Sequence, residues 1–359
     1  ISNTLPFTVR SWEIFHIKSS GSDSSWDWSF NNPWLTVEKA DTQKSFWTWA
    51  TFYIHDVVTW WPTTTLSIIN NSWYKSDKTN QISYIAYPWT RPSVLWARWF
   101  SGYKTTWLVV SKLDFYSSNC KVINWKLDCF SNQTYAIRSS LNWRIIANAV
   151  TDQPGWCANS QAWGIVWNNL WWEGWVWWHF ILWNYIYDYS CWEASKFHHT
   201  TYMSIRSSSR DDHVEWWEWG WNYLKDNKAK NGIHNYDEDL KWWTCWDLTS
   251  DITIHDNVIV NQAWAGIAIW ASCWWTMDSQ IYNNVVINSW LDYATSCTWS
   301  NCWQLKSAIS FADWSWTNWG LEWTMYIYNN ILHTWAADEL DPPRRNYPNA
   351  CVTVSWNWD

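Results

Sequence analysis

Apolar and polar residues alternate in short runs along this chain, and residues 251–272 show the pattern most clearly. They read as one turn of a coil: a short strand, an Asn-bearing bend, a second strand and a small-residue turn. The first half of this unit recurs. Aligned on the Asn before an apolar pair, residues 181–189, 219–227, 254–261, 281–288 and 327–334 superpose on Asn184, Asn222, Asn257, Asn284 and Asn330. The second half recurs at 232–237 and 266–271, ten and nine residues after Asn222 and Asn257. Successive anchors lie 38, 35, 27 and 46 residues apart, the span in which self-similarity means stacked supersecondary units.

A unit of this kind cannot bury its apolar face alone, but a copy stacked upon it makes a continuous core. The expected architecture is an all-β parallel solenoid forming one domain over residues 1–359, with entry strand and cap at 1–60, coils at 61–335 and a tail at 336–359. Asn at equivalent bends would form a column, each amide bonding to the next rung and to backbone left free by the turn. At the entry, residues 13–40 read as strand, Gly/Ser/Asp turn, Asn-Pro and a short capping helix over 35–40, which would protect unpaired strand edges. Residues 50–58, 81–96 and 351–356 are strand-like, and a side loop is expected around Cys120 to Cys129.

Composition narrows the function. Charged residues are 16% of the chain and the net charge is -8, so no basic field for nucleic acid exists. No apolar run approaches the ~18 residues of a membrane span. The chain opens at Ile1 without a charged n-region and apolar h-region, as a processed or trimmed product would. Nine Cys without a C-x-x-C pair argue against zinc; disulfides, with Cys120–Cys129 and Cys297–Cys302 as local pairs, fit a secreted or cell-surface protein.

The anomaly is 46 Trp against 9 Gly. Trp stands in turn contexts that commonly need φ > 0, which Gly adopts freely and other residues adopt at a cost of about 1–2 kcal/mol. The expectation is that most of these Trp are Gly in the native product, through a UGA codon read as glycine in some bacterial lineages and as tryptophan in others. Trp34 and Trp221 are the exceptions, because large residues fit their contexts. If the indoles are genuine, most should lie on the outside of turns, and the protein is an aromatic-rich carbohydrate binder.

Gly21, Ser22, Asp23, Asn32, Pro33, Trp34, Leu35, Thr36, Lys39 and Ala40, followed by residues 82–89 and Pro92, resemble the entry segment of right-handed parallel β-helix proteins of the pectate-lyase-like superfamily. Trp26, Trp28 and Trp89 stand where that pattern usually has Gly. The resemblance implies a right-handed parallel β-helix. It leaves polysaccharide lyases, hydrolases, epimerases and non-catalytic surface proteins open, since fold alone does not assign chemistry. The paired-Asp motifs of the polygalacturonase-type hydrolases are not matched: Asp211-Asp212 lacks the flanking Gly and the later Arg-x-Lys.

The densest polar stretches are 196–219 and 225–241. Aligning 201–205, 233–237 and 267–271 turns Thr201, Ile233 and Ile267 inward and Tyr202, His234 and Ala268 outward, followed outward by Ser204, Tyr236 and Trp270, then Arg206 and Glu238. With rungs about 4.8 Å apart, Tyr202, Ser204, Arg206, His234, Tyr236 and Glu238 would share a patch edged by His198, His199, Asp237 and Asp239. Such a set suits β-elimination on an acidic glycan. Arg206, or Ca²⁺ held by Asp237, Glu238 and Asp239, would neutralise the uronate carboxylate. His234 and Tyr202 would be base and acid, with Lys225 as a further candidate base. His199, Ser204, Tyr236 and Glu238 would bind substrate. The expected function is a polysaccharide lyase acting as a monomer; the alternative is a non-catalytic glycan-binding or cell-surface protein using the same face.

Overall fold

Each recurrence of the alternating pattern becomes one turn of a parallel β-helix, and three sheets run along the coil in this computed structural model. The structure describes residues 14–24, 29–37, 39, 50–56, 58–59, 67–68, 81–95, 100–102, 107–117, 120–123, 126–129, 134–139, 142–152, 162–168, 176–190, 197–205, 214–237, 249–271, 279–289, 307–313, 325–334 and 351–356. One coil shows the plan. Ile252–His255 lies in the first sheet, Val258–Gln262 in the second and Ile267–Ala271 in the third, each hydrogen-bonded in parallel to its counterpart one rung away. The first sheet starts at Ile14–Ile17 and Thr51–Ile54, so residues read as entry and cap already supply rungs. The final strand, Val352–Trp356, pairs with Ile309–Asp313 in the third sheet. Outside the coil, Cys120–Ile123 and Lys126–Cys129 form an antiparallel hairpin at the expected side loop. Among the described residues no helix is long and apolar enough to cross a membrane.

Period-two alternation in a stacked strand sends one set of side chains into the shared interior. In the first sheet Ile145, Ile181, Trp219, Ile254 and Ile281 follow one another rung by rung, all buried. Burying a side chain of this size contributes roughly 1.5–3 kcal/mol. At the entry the same interior column is aromatic: Phe15, Trp34, Phe52 and Tyr84 stack with centroids 4.8 to 6.4 Å apart.

The bends between the first and second sheets carry the asparagine column. Asn222 Nδ2 donates to Ile181 O at 2.7 Å and to Asn257 Oδ1 at 2.9 Å, while Asn222 Oδ1 accepts from Asn184 N at 2.9 Å. Asn184, Asn257 and Asn284 repeat the arrangement. Asn330 ends it, and Asn148 starts it one rung before the first anchor read from the sequence. The residue before each Asn turns the corner with positive φ, from 51° at Asp256 to 56° at Ala147.

Asp23 ties down the entry, accepting from Leu35 N and Thr36 N at 3.0 Å and from Thr36 Oγ1 at 2.6 Å. Thr36 Oγ1 in turn accepts from Lys39 N at 3.1 Å, the bond of a helix N-cap. The extent of the expected capping helix lies outside the described residues, as do the tail at 335–350 and the Cys297–Cys302 loop.

The tryptophans depart from one expectation. Trp34, Trp143, Trp167, Trp217 and Trp219 are fully buried, whereas Trp89, Trp183, Trp216 and Trp221 are exposed; the described indoles do not gather on the outside of turns. Trp34 packs as a large core residue should. Trp221 holds φ 54° at the bend before Asn222, stacked on Trp183 in the same position one rung earlier.

Candidate functional site

Four third-sheet strands build the outer face: Ala162–Asn168, His198–Ile205, Asn231–Asp237 and Ile267–Ala271. The observed register pairs Thr201 with Ile233 and Ile267, Tyr202 with His234 and Ala268, and Ser204 with Tyr236 and Trp270, as the sequence alignment predicts. Two expected neighbours therefore become actual ones. The Tyr202 and His234 rings lie 5.1 Å apart, and Tyr236 lies 5.9 Å from His234.

His199 joins them. Its Nε2 meets His234 Nδ1 at 3.2 Å, and Tyr202 lies over its ring at 4.8 Å. Burial is the first cause of both imidazole shifts: it lowers His234 to about 3, and it lowers His199 well below the ordinary value with help from His234 and His198. The pair is thus neutral near pH 7, and one ring donates to the other. His199 Nδ1 and His234 Nε2 are buried with no hydrogen-bond partner among the described residues, an arrangement that costs about 1–3 kcal/mol per group.

Two indoles flank the cluster. Trp163 stacks on Tyr202 at 5.9 Å with planes 6° apart, and Trp270 meets His234 edge-on at 4.4 Å. His234 is consequently 2% exposed and Tyr202 9%. Trp270 was legible as an outward neighbour. Trp163 was not read, although it stands one rung earlier, paired with His199.

The other candidates are placed as follows. Lys225 lies on the second sheet, apart from this face, in an ion pair with Asp226 at 3.4 Å. The strand Tyr223–Lys225 ends there because Asp226, at φ 55°, turns the chain. On the third sheet, Ser204 is next to last in the strand His198–Ile205 and Asp237 ends the strand Asn231–Asp237. Arg206, Glu238 and Asp239 lie outside the described residues, as do the side chains of Ser204 and Asp237. Among the described residues no group of three His, Cys, Asp or Glu side chains suits a metal ion.

Fold and face together define the class: a parallel β-helix bearing an imidazole and phenol cluster on the outer side of one sheet. No family model, curated protein or solved structure matches the chain.

Proposed function

We propose that this chain is a secreted or cell-surface carbohydrate-active protein of the pectate-lyase-like β-helix type, cleaving a uronate-containing polysaccharide by β-elimination as a monomer. The observation that supports this reading is the meeting of Tyr202, His199 and His234 on adjacent rungs with two imidazole nitrogens unpartnered. In the reaction, His234 Nε2 takes the proton α to the uronate carboxylate, the released electron pair forms the ring double bond, and the glycosidic C–O bond breaks. Tyr202 protonates the departing oxygen and recovers its proton through solvent. Arg206 balances the substrate carboxylate. Asp237, Glu238 and Asp239 are the residues that would hold Ca²⁺ for the same neutralising task, and no step here depends on it.

The test is absorbance at about 235 nm, where the unsaturated product absorbs, on pectate, alginate and glycosaminoglycan, with and without chelator. His234→Ala and Tyr202→Phe should each slow the rise about 10²–10⁴-fold, with unchanged melting temperature as the folding control. No rise on any substrate removes the lyase. Burial of Tyr202 and His234 favours a second reading, a non-catalytic glycan-binding protein. It is distinguished by glycan retention without the absorbance change.

We also propose that most of the 46 Trp stand for Gly in the native product. Six described Trp, at 89, 107, 178, 183, 216 and 221, have positive φ. Trp163, Trp167, Trp217 and Trp219 bury indole N–H groups that have no partner among the described residues. Gly at 163 and 270 would uncover His199 and His234, which joins this proposal to the lyase. UGG codons at the Trp doublets would end it; the 235 nm assay on a Trp163→Gly, Trp270→Gly variant tests the joint reading.

A further inference from the structure

The two ends of the coil differ. At the start, Trp34 bridges the first strand: its N–H donates to His16 O, its carbonyl accepts from Lys18 N, and its ring stacks on Phe15. The chain thus covers its own first rung. At the other end Met325–Tyr328, Ile331–Thr334 and Val352–Trp356 are the last strands of the three sheets, each with one edge unpaired among the described residues. Ile327 follows Ile281 in the interior column, yet it is 38% exposed where Ile281 is 0%. Leu332, which follows Val286 on the second sheet, and Val352, which follows Ile309 on the third, are only partly buried. Open edges are ordinarily guarded by charged side chains. Residues 325–334 and 351–356 contain no Asp, Glu, Lys or Arg.

The asparagine column specifies what fits there. At each earlier corner the same groups are spent on the following rung. Asp256 N donates to Tyr282 O, Asn257 N and Nδ2 both donate to Asn284 Oδ1, and Asn257 O accepts from Val285 N. In return, Asn284 Nδ2 donates to Ile254 O. Asn330 makes every bond to the rung before it. The outward set, which is Asn329 N, Asn330 N, the second Nδ2 hydrogen of Asn330 and the carbonyls of Asn330 and Ile327, has no such partner among the described residues. The backbone of a further strand answers Asn329 N and Asn330 O. A carboxamide answers the rest, its oxygen accepting from Asn330 N and Nδ2 while its nitrogen donates to Ile327 O. A carboxylate has the acceptor without the donor, and an apolar side chain has neither. A second copy of this chain does not supply the group. Turned end to end, its Asn330 brings donors to donors, and in its first rungs the positions equivalent to Asn330 are Lys18, His55 and Tyr87, behind Trp34.

We infer that this end of the coil is a docking surface for a partner's uncharged extended segment, two short strands of alternating apolar residues joined by an Asn bend. The segment adds parallel to the first and second sheets, lays apolar side chains over Ile327 and Leu332, and continues the column with its carboxamide. The site stands apart from the proposed elimination chemistry, and its test does not depend on lyase activity. The probe is a synthetic peptide with the sequence of residues 279–289, which has this pattern and packs in this way on the rung before it. Labelled with fluorescein and titrated with the full chain, it should give a saturable rise in anisotropy. Asp or Leu in place of Asn284 in the peptide should weaken binding at least about tenfold. The chain variant Ile327→Lys should lose at least about tenfold in affinity, and Ile14→Lys, at the covered end, should lose none. Absence of saturable binding overturns the inference, as does equal binding of the three peptides or full affinity in Ile327→Lys. A wild-type chain that dimerises in sedimentation velocity, and that Ile327→Lys makes monomeric, overturns it too, since the end then belongs to a second copy. Should Ile327→Lys fail to fold, the peptide comparison on the unmodified chain still decides.

Discussion

Asn222 shows what a single side chain does in this fold. It satisfies the backbone N–H of Asn184 and the carbonyl of Ile181, both of which its removal would strand in the interior. At about 1–3 kcal/mol for each stranded group, Asn222→Ala should lower the urea-derived stability by roughly 3–5 kcal/mol. Asn330→Ala, at the half-buried end of the column, should cost less, on the order of 1 kcal/mol. Equal losses would mean that the column does not act through burial. The positive-φ bends allow the opposite experiment. Trp89 holds φ 69° and is fully exposed, so its replacement relieves backbone strain without emptying a packed site. Trp89→Gly is expected to raise stability by about 1 kcal/mol, read as a higher melting temperature. A large residue next to Asn suits many contexts, and only the backbone reveals the left-handed corner that Trp221 occupies.

At the scale of elements, the hairpin outside the coil makes a defined prediction. Ile123 opposite Lys126 closes a two-residue loop as a hydrogen-bonded pair, so alternation makes Cys120 opposite Cys129 a non-hydrogen-bonded pair. Such pairs bring Cα atoms to about 4.5 Å, inside the disulfide range. Non-reducing peptide mass spectrometry on protein made in an oxidising compartment should find Cys120 joined to Cys129; two free thiols there would refute the pairing. The third-sheet register was legible because Thr201, Ile233 and Ile267 share a period of two with outward polar neighbours. Asn148 escaped notice as an anchor because Ala149 weakens the apolar pair after it. The early rungs, legible as strands, offer no anchor because the corner at Lys112 and Leu113 has no Asn of its own, and Leu113 N instead donates to Asn148 Oδ1 on the next rung.

At the scale of the whole molecule, burial of imidazoles couples stability to pH. His179 sits in the interior between Ser139 and Trp143, and burial lowers it to about 3, as it does His234. His199 shifts the same way. Below 6.5 the unfolded chain takes up protons that the folded chain refuses, so the contribution of these groups is present above that pH and is lost as pH falls toward their folded values. Each of His179 and His234 would cost on the order of 3 kcal/mol by pH 4, enough together to open a domain of ordinary stability. His255 runs the other way. Burial works against its charge, but its bonds to Glu218 and Asp256 outweigh that, so its contribution is complete below 6.5 and is lost as pH rises through its raised folded value. Melting temperature should therefore fall steeply between pH 6 and 4, and less steeply in a His179→Gln variant. A flat profile would show that these rings are not buried in solution.

The order of apolar and polar residues was enough to establish stacked parallel strands, the asparagine bends and the partners of Tyr202 and His234, because period, spacing and bend chemistry are local properties that each rung repeats. The tertiary structure alone decided which polar groups reach water and which sheet each side chain joins. It set Lys225 around a corner from the candidate site, flanked His199 and His234 with indoles from neighbouring rungs, and seated His255 between the Glu218 and Asp256 carboxylates. Those outcomes depend on what stands one rung above and below, across some thirty-five to forty residues of chain, and no local pattern carries that information.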